Sequence, residues 1–480
     1  ISKCTANKRQ IQILMIEFER FTLPNGLRVI FHKDITTPLA VVNVLYDVGA
    51  RDEREEKTGF AHLFEHLMFG GSVNIPNFDG PLQRAGGQNN AFTSNDITNY
   101  YDVLPAENLE TALWLESDRM LSLAFTEKSL EVQRSVVIEE FKQRYLNQPY
   151  GDVWLEFRPL AYEVHPYRWA TIGKDISHIE NATMDDVKAF FAKYYHPGNA
   201  ILCISGNFEL TYIKEVATKW FGAIPGKEVP KRKLPAEPKQ VAYKEKTITR
   251  DVPSDAFYLG FKMPGKNQPH YFTADLLSDI LGRGKSSRLY KRLKKEKELV
   301  SEINAYVTGS IDTGLLMISG KPSEGVAVST VEAEIHAVIY ELQQERIGKE
   351  ELEKIVNKVK TTKVFSEQGA LQKSMSLCFH ELLGDANGIN TETEAYERIT
   401  PDEIQEQAKI ILSKLGIDDF DAPIRSLSGG YRKRIALAAA LLRDPDVLLM
   451  DEPTNHLDAI SVEWLQSYLN SFRGAILLIT

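Results

Sequence analysis

The chain has 480 residues, 43% of them hydrophobic and 26% charged, with a net charge of −9. That length admits about two to four domains, the composition is that of ordinary soluble globular protein, and the negative balance argues against general nucleic-acid or anionic-membrane binding as the main task. No apolar run is long enough to span a bilayer, and three widely spaced cysteines, Cys4, Cys203 and Cys378, indicate neither a disulfide framework nor a thiolate zinc site.

Residues 1–16 read as a tail, basic at the start and without the apolar core or cleavage site of a signal peptide. FERFTL and LRVIFHK flank Pro24-Asn25-Gly26, a hairpin signal, and AVVNVLYDVGA is a third strand. Thr58 and Gly59 open the next helix, with Thr58 as the expected N-cap. Residues 81–104 read as turn, strand, turn, strand, with Gly86-Gly87 ahead of QNNAFTS. Helices are predicted over 106–121, 127–146 and 184–195, the last followed by the strand AILCISG. Residues 225–240 hold four prolines among many charges, a linker composition. The strand–helix pattern then resumes with DAFYLGFKM as strand, 269–281 and 286–297 as helices and EINAYVTGS as strand, a loose echo of the first half. Helices near 328–346, 349–366 and 368–383 follow, and from about residue 405 the grammar changes.

The run His62-Leu63-Phe64-Glu65-His66 carries the most chemistry. On a helix His62 and His66 are four apart and Glu65 is three from His62, so all three share one face. Two imidazoles at that spacing can hold one metal ion, and the carboxylate between them can reach the metal's water. This is the H-x-x-E-H order. A hydrolytic zinc takes three protein ligands and one open position. The helix at 127–146 offers Glu139 and Glu140 for the third. A lone His on an apolar helix face is usually structural, and His165 and His178 are read so; KRLKKEKE reads as a solvated helix face.

TGFAHLFEHLMFGGS, followed about seventy residues later by QRSVVIEEFKQR, resembles the inverzincin peptidases of the pitrilysin/insulinase family. GGQNNAFTSNDITNYY, the stretch from HPYRWATIG to ILCISGNF, GRGKSSRLYKRLKKEKEL and FHELLGDANGINTETEAYERIT resemble further segments of that family, over about residues 17–405. The resemblance implies an α+β fold of two tandem homologous domains, each a mostly antiparallel sheet packed with helices. The expected division is a zinc-binding domain over 17–224, the linker 225–240 and a second peptidase-like domain over 241–407. It also implies that Glu140, six residues after Arg134, is the third ligand of a Zn²⁺ held with His62 and His66, and that Glu139 is only its neighbour, about 100° round the helix. Bound zinc would bring the pKa of its water toward about 7, and Glu65 would take the proton and pass it to the leaving amine. Asn90, Ala91, Phe92 and Thr93 would present backbone groups to an extended peptide that joins the sheet.

Two positions depart from the family pattern. Gln133 stands where members commonly carry a Glu, two turns before the third ligand, as a group supporting the ligands. Lys294 and Ser301 stand where active relatives have a substrate-gripping Arg and Tyr on the second domain. Lysine lacks the guanidinium fork, and serine is too short to replace the phenol. Some family enzymes divide the labour between a zinc-bearing subunit and an Arg/Tyr-bearing sibling. This chain resembles the zinc-bearing member, with a homodimer as the other arrangement. The relatives include small bacterial members, so periplasm and cytoplasm both stand as compartments; a chain beginning with Ile1 leaves a leader open.

Residues 408–480 resemble a different family. Ser428, Gly429 and Gly430 belong to an LSGG signature, and VLLMDEP is a Walker B strand in which Asp451 would hold Mg²⁺ through water and Glu452 would polarise the attacking water. TNHLD resembles the soluble F-subfamily of ATP-binding-cassette ATPases. The phosphate cradle G-x-x-x-x-G-K-[ST] is missing: ahead of Gly284-Lys285-Ser286 its first Gly would have to be Asp279. The tail is therefore expected to be a partial α/β cassette fragment, without nucleotide turnover, from fusion, recombination or misassembly. AKIIL at 408–412 suits both the end of the peptidase part and the start of the fragment. The leading expectation is a zinc endopeptidase acting on extended peptides. The alternatives are a catalytically weak structural subunit of the same family and a cassette ATPase fragment.

Overall fold

The computed structural model describes residues 15–229, 232–240, 243–412, 447–451 and 475–479. In the first half the order is β1 (Glu19–Thr22), β2 (Arg28–Lys33), β3 (Leu39–Tyr46), α1 (Phe60–Leu67), α2 (Asp79–Arg84), β4 (Gln88–Thr93), β5 (Thr98–Pro105), α3 (Leu109–Leu121), α4 (Glu127–Phe141), α5 (Val153–Ala161), α6 (Ser177–Glu180), α7 (Met184–Tyr194), β6 (Ala200–Gly206) and α8 (Leu210–Phe221). The second half follows with β7 (Phe257–Met263), α9 (Tyr271–Gly282), β8 (Val300–Val307), β9 (Gly314–Pro322), α10 (Val328–Gln344), α11 (Lys349–Ser366), α12 (Ala370–Leu382), α13 (Gly388–Glu397) and α14 (Pro401–Ile411). In the tail, β10 (Val447–Asp451) and β11 (Ala475–Ile479) pair in parallel.

The fold is α+β, with two tandem sheet-and-helix domains. The first sheet has the order β1-β2-β6-β3-β5-β4 and is antiparallel except where β2 meets β6. The predicted hairpin is present: Gly26 takes φ +89°, a conformation that suits glycine, and β1 pairs with β2. The second sheet is the antiparallel ribbon β7-β9-β8.

Residues of β3 and β6 are buried on both faces, which explains their continuous apolar runs. One face carries Val42, Val44, Tyr46, Leu202 and Ile204 into the core with α1, α3, α4, α7 and α8. The other face, with Ile30, Leu45, Ile201 and Cys203, is covered by Leu377 and Cys378 of α12 and Ile389 of α13, which come from the second half. Polar contacts fix that packing: Asn43 Nδ2 lies 3.3 Å from Cys378 Sγ, and Ser205 Oγ 2.7 Å from Ser374 Oγ. The exchange is reciprocal. Helix α5 of the first half lays Trp154 and Phe157 on Leu315 and Met317 of the second sheet. Gly260 on β7 makes room, since a Cβ there would lie 2.6 Å from Phe157 Cζ.

The proline-rich segment between the halves is bonded to both. Arg232 Nε donates to Asp52 Oδ1 at 2.6 Å, and Arg232 Nη2 to Asp47 Oδ1 at 3.0 Å. Glu237 accepts from the backbone N–H of Glu163, Val164 and His165 at 2.9–3.1 Å and from Lys262 Nζ of β7 at 2.6 Å.

Several local expectations are corrected. The helix start at residue 58 moves by one: Gly59, at φ +88°, is the N-cap of α1, because a Cβ there would sit 2.7 Å from Ile172 O. Thr58 Oγ1 pairs with His178 Nδ1 at 2.8 Å instead of capping. Residues 81–84 are helical, not a turn; Pro81 sits in the first turn of α2, where its missing N–H costs nothing. The helices predicted to 146 and over 286–297 widen into π-helical turns at Lys142–Leu146 and Tyr290–Glu296. AKIIL is resolved toward the second half: α14 runs through it, and Ala408, Ile411 and Leu412 are buried in that core.

Candidate metal and peptide site

Helix α1 presents the H-x-x-E-H residues. Its apolar side, Phe60, Leu63, Phe64 and Leu67, is buried, which turns His62, Glu65 and His66 toward α4. Its first N–H groups need acceptors. Glu53 supplies them, with Gly59 N at 2.9 Å from Oε2 and Ala61 N at 2.8 Å from Oε1. Burial pushes the Glu53 carboxyl up to about 8, against the pull of those two N–H donors.

Glu140 of α4 faces the two imidazoles. Its Oε2 lies 3.7 Å from His62 Nε2 and 3.4 Å from His66 Nε2. Among the described residues, this is the group of three or more His, Cys, Asp or Glu with ligand atoms all within 4.8 Å of one another. The rings of His62 and His66 stand edge to face, 4.9 Å apart. Burial drives His62 down to about 4, outweighing the pull of Glu140, while His66 and Arg144 add to the depression. A neutral imidazole keeps its lone pair for a metal. The hydrogen bond with His66 holds Glu140 below the usual carboxylate range, against its burial, with His62 and Arg144 assisting. Two imidazoles and one carboxylate form a donor set that suits zinc. Glu139 points away, exposed and bonded to Gln143 Nε2 at 3.0 Å.

Two contacts at this site had no sequence signal beyond spacing. Arg144, in the π-helical turn after α4, donates to Glu140 Oε1 at 2.8 Å. Thr93 Oγ1 donates to Glu65 Oε2 at 2.6 Å. Burial raises the Glu65 carboxyl; the Thr93 hydroxyl and His66 oppose the rise. Gln133 lies on α4 two turns before Glu140 and borders Gly70, just beyond α1.

Asn90, Ala91, Phe92 and Thr93 lie on β4, the edge strand of the first sheet. It pairs with β5 on one side only, and Phe92 is 39% exposed. Asn90 Oδ1 accepts from Ala91 N at 2.8 Å. Lys294 and Ser301 meet each other in the second half: Lys294 Nζ donates to Ser301 O, and Ser301 Oγ to Lys321 O at 3.3 Å. Ser301 sits where the β8–β9 register slips. Asp451 ends β10, and Ser428, Gly429, Gly430 and Glu452 lie outside the described residues. Among the described residues, no helix is long and apolar enough to cross a membrane.

Comparison with known proteins bears on the family and the fold. The model of the insulinase family, peptidase family M16, matches residues 28–156, and that of the peptidase M16 inactive domain matches 181–359. An ABC transporter model matches 329–455, a span that starts inside α10 and includes the LSGG and Walker B words. The zinc protease PqqE of Helicobacter pylori is 33% identical over 72% of this chain and 79% of its own length. An uncharacterized zinc protease of Bacillus subtilis, YmxG, is 27% identical over 76% of this chain and 88% of its own. Among solved structures, a protease from Helicobacter pylori superposes with a TM-score of 0.79 at 29% identity, covering 84% of this chain and 98% of that one. Pitrilysin gives 0.68 at 19% identity, covering 86% of this chain and 45% of its own. On its sequence, its sheets and these relatives together, the chain belongs to the insulinase family, peptidase family M16.

Proposed function

We propose that this chain is a zinc-dependent endopeptidase that cuts extended peptides. The convergence of His62, His66 and Glu140 from two helices, with Glu65 beside them, carries the reading. His62, His66 and Glu140 would hold the zinc, which would supply Lewis acidity and lower the pKa of a water. The rest falls to the chain's own groups. Thr93 fixes one oxygen of Glu65, and the carboxylate takes a proton and hands it to the departing amine. The free edge of β4 pairs with the peptide backbone, so register comes from main-chain hydrogen bonds. The same reading assigns 17–224 and 241–407 to two peptidase domains joined by 225–240, with a cassette fragment after them.

The expected test is a Glu65→Gln variant. It should keep about one zinc per chain and lose most peptide hydrolysis, since it removes the base and no ligand. Loss of zinc in that variant would make Glu65 a ligand and overturn the assignment. A partner subunit belongs to the same reading: with Lys294 and Ser301 the second half offers neither a guanidinium fork nor a phenol at those positions, and Lys294 is tied to Ser301 O.

A further inference from the structure

The turn that follows the candidate peptide strand is held from two sides. Strand β4 ends at Thr93, and residues 94–97 lead into β5. On one side, Ala50 N donates to Ser94 O at 3.2 Å and Arg51 N to Asn95 O at 2.9 Å. Gly49 lets these backbones meet, because a Cβ there would lie 2.5 Å from Asn95 O. From the other side comes the second half. Its β8–β9 loop places Ile311 N 3.1 Å from Asp96 Oδ2 and Asp312 N 3.1 Å from Tyr167 Oη. Tyr167 Oη donates in turn to Asp96 Oδ1. Arg51 closes the ring, with Nη1 3.0 Å from Asp96 Oδ1 and 3.1 Å from Asp312 Oδ2.

Asp96, Arg51 and Tyr167 are at most 6% exposed. A buried charge ring of this kind adds little net stability compared with apolar packing, but it fixes orientation. What it orients is short and direct. Thr93 and Thr98 face each other across the turn, Thr98 Oγ1 donates to Val48 O at 2.9 Å, and Thr93 Oγ1 holds Glu65. The three proposed metal ligands sit on α1 and α4, outside the ring.

We propose that Asp96, Tyr167 and Asp312 are positioning residues through which the second half sets the end of β4, and with it the peptide-binding edge. This rests on the endopeptidase reading above. The second half then serves the reaction without contributing a ligand or a base. The Asp312 side chain reaches the end of β4 through Arg51 and Asp96, and its backbone N–H reaches it through Tyr167 and Asp96.

The test uses Tyr167→Phe, which removes one hydroxyl and keeps the ring, and Asp312→Ala, both in the full chain. Amide hydrogen exchange over residues 88–98 should speed up about tenfold, while residues 60–67 and zinc content stay as in the parent. With an extended fluorogenic peptide that the parent cuts, KM should rise about fivefold with kcat changed less than about twofold, and Asp312→Asn, which keeps an acceptor for Arg51, should restore most of it. Unchanged exchange over 88–98, or equal acceleration throughout the first half, would overturn the proposal. So would altered exchange with KM unmoved. A parent that holds zinc but cuts no peptide, either alone or with an Arg/Tyr-bearing sibling, would sink the endopeptidase reading instead, and the exchange result alone would then decide whether the ring sets β4.

Discussion

Glu140 divides its two oxygens among three partners: Oε2 faces His62 and His66, and Oε1 accepts from Arg144 at 2.8 Å. The guanidinium thus orients a carboxylate that the proposed site needs, while its own charge repels a cation. Groups that orient ligands are commonly worth about 10–100-fold in metal affinity, more than a screened charge on a side chain 71% exposed. Arg144→Gln should therefore weaken zinc binding about tenfold in a chelator competition. Glu139→Gln should leave it unchanged. Tighter binding by Arg144→Gln would mean that repulsion is the larger effect.

Thr93 stabilises the charged form of Glu65, whose burial favours the neutral form. Removing the hydroxyl should raise the carboxyl further. A general base must be deprotonated, so activity falls as pH drops through its pKa. For Thr93→Val the acid limb of kcat/KM should move to higher pH. An unmoved limb would show that another group sets it.

Glu237 ties the two halves through the connecting segment. Burial pushes its carboxyl up, but Lys262 and the backbone N–H donors of residues 163–165 outweigh it and hold it at about 2. A depressed carboxyl contributes stability that is present above its unfolded value, near 4.5, and is lost as pH falls toward 2. Glu237→Gln should cost about 1–3 kcal/mol of unfolding free energy at pH 7. Denaturant titrations should show the gap to the parent narrowing between pH 4.5 and 2. An equal gap at both ends of that window would contradict the ionic account.

Lys294 and Ser301 set the expectation for a partner. The isolated chain should cleave peptides poorly. Lys294→Arg combined with Ser301→Tyr should raise kcat/KM at least about tenfold if those two positions limit it. Full activity of the unmodified chain alone would remove the need for an Arg/Tyr-bearing sibling.

Truncation should separate the tail. Ala408 and Ile411 of helix α14 and Leu412 just after it join the second core, so the cut belongs after Leu412. The shortened chain should retain zinc content and peptide cleavage. The full chain should bind ATP no better than the shortened one, for want of a Gly-rich phosphate cradle. A large drop in cleavage with the fold retained would tie the tail to the peptidase.

The parts of this molecule that were legible in sequence are those written locally. The hairpin at Pro24-Asn25-Gly26, the helix carrying His62 to His66 and the long helix with Glu140 each follow from neighbours a few residues apart. The turn expected from residue 81 was wrong, because a proline such as Pro81 marks helix starts as readily as turns. The cap of α1 was invisible because Glu53 reaches it from outside the helix. Thr93 could be placed on the edge strand, but its bond to Glu65 depends on the packing of α1 under β4. The Arg51–Asp312 contact joins residues 261 apart. No periodicity signals such a pairing. Nor does an amphipathic pattern name the surface it will cover: α12 reads as an ordinary helix, no helix is predicted over α5, and only the fold shows that each covers the other half's sheet.

That crossed covering has a consequence for how the chain folds as it is made. Strand β6 completes the first sheet at Gly206, but the helix that seals its second face does not begin until Ala370. At about 5–20 residues per second, the interval of roughly 160 residues amounts to some ten to thirty seconds. Throughout it, Ile30, Leu45, Ile201 and Cys203 lack the helix that covers them in the finished protein. Nascent chains stalled before residue 370 should therefore recruit chaperones that recognise apolar surface, and chains released beyond α13 should not.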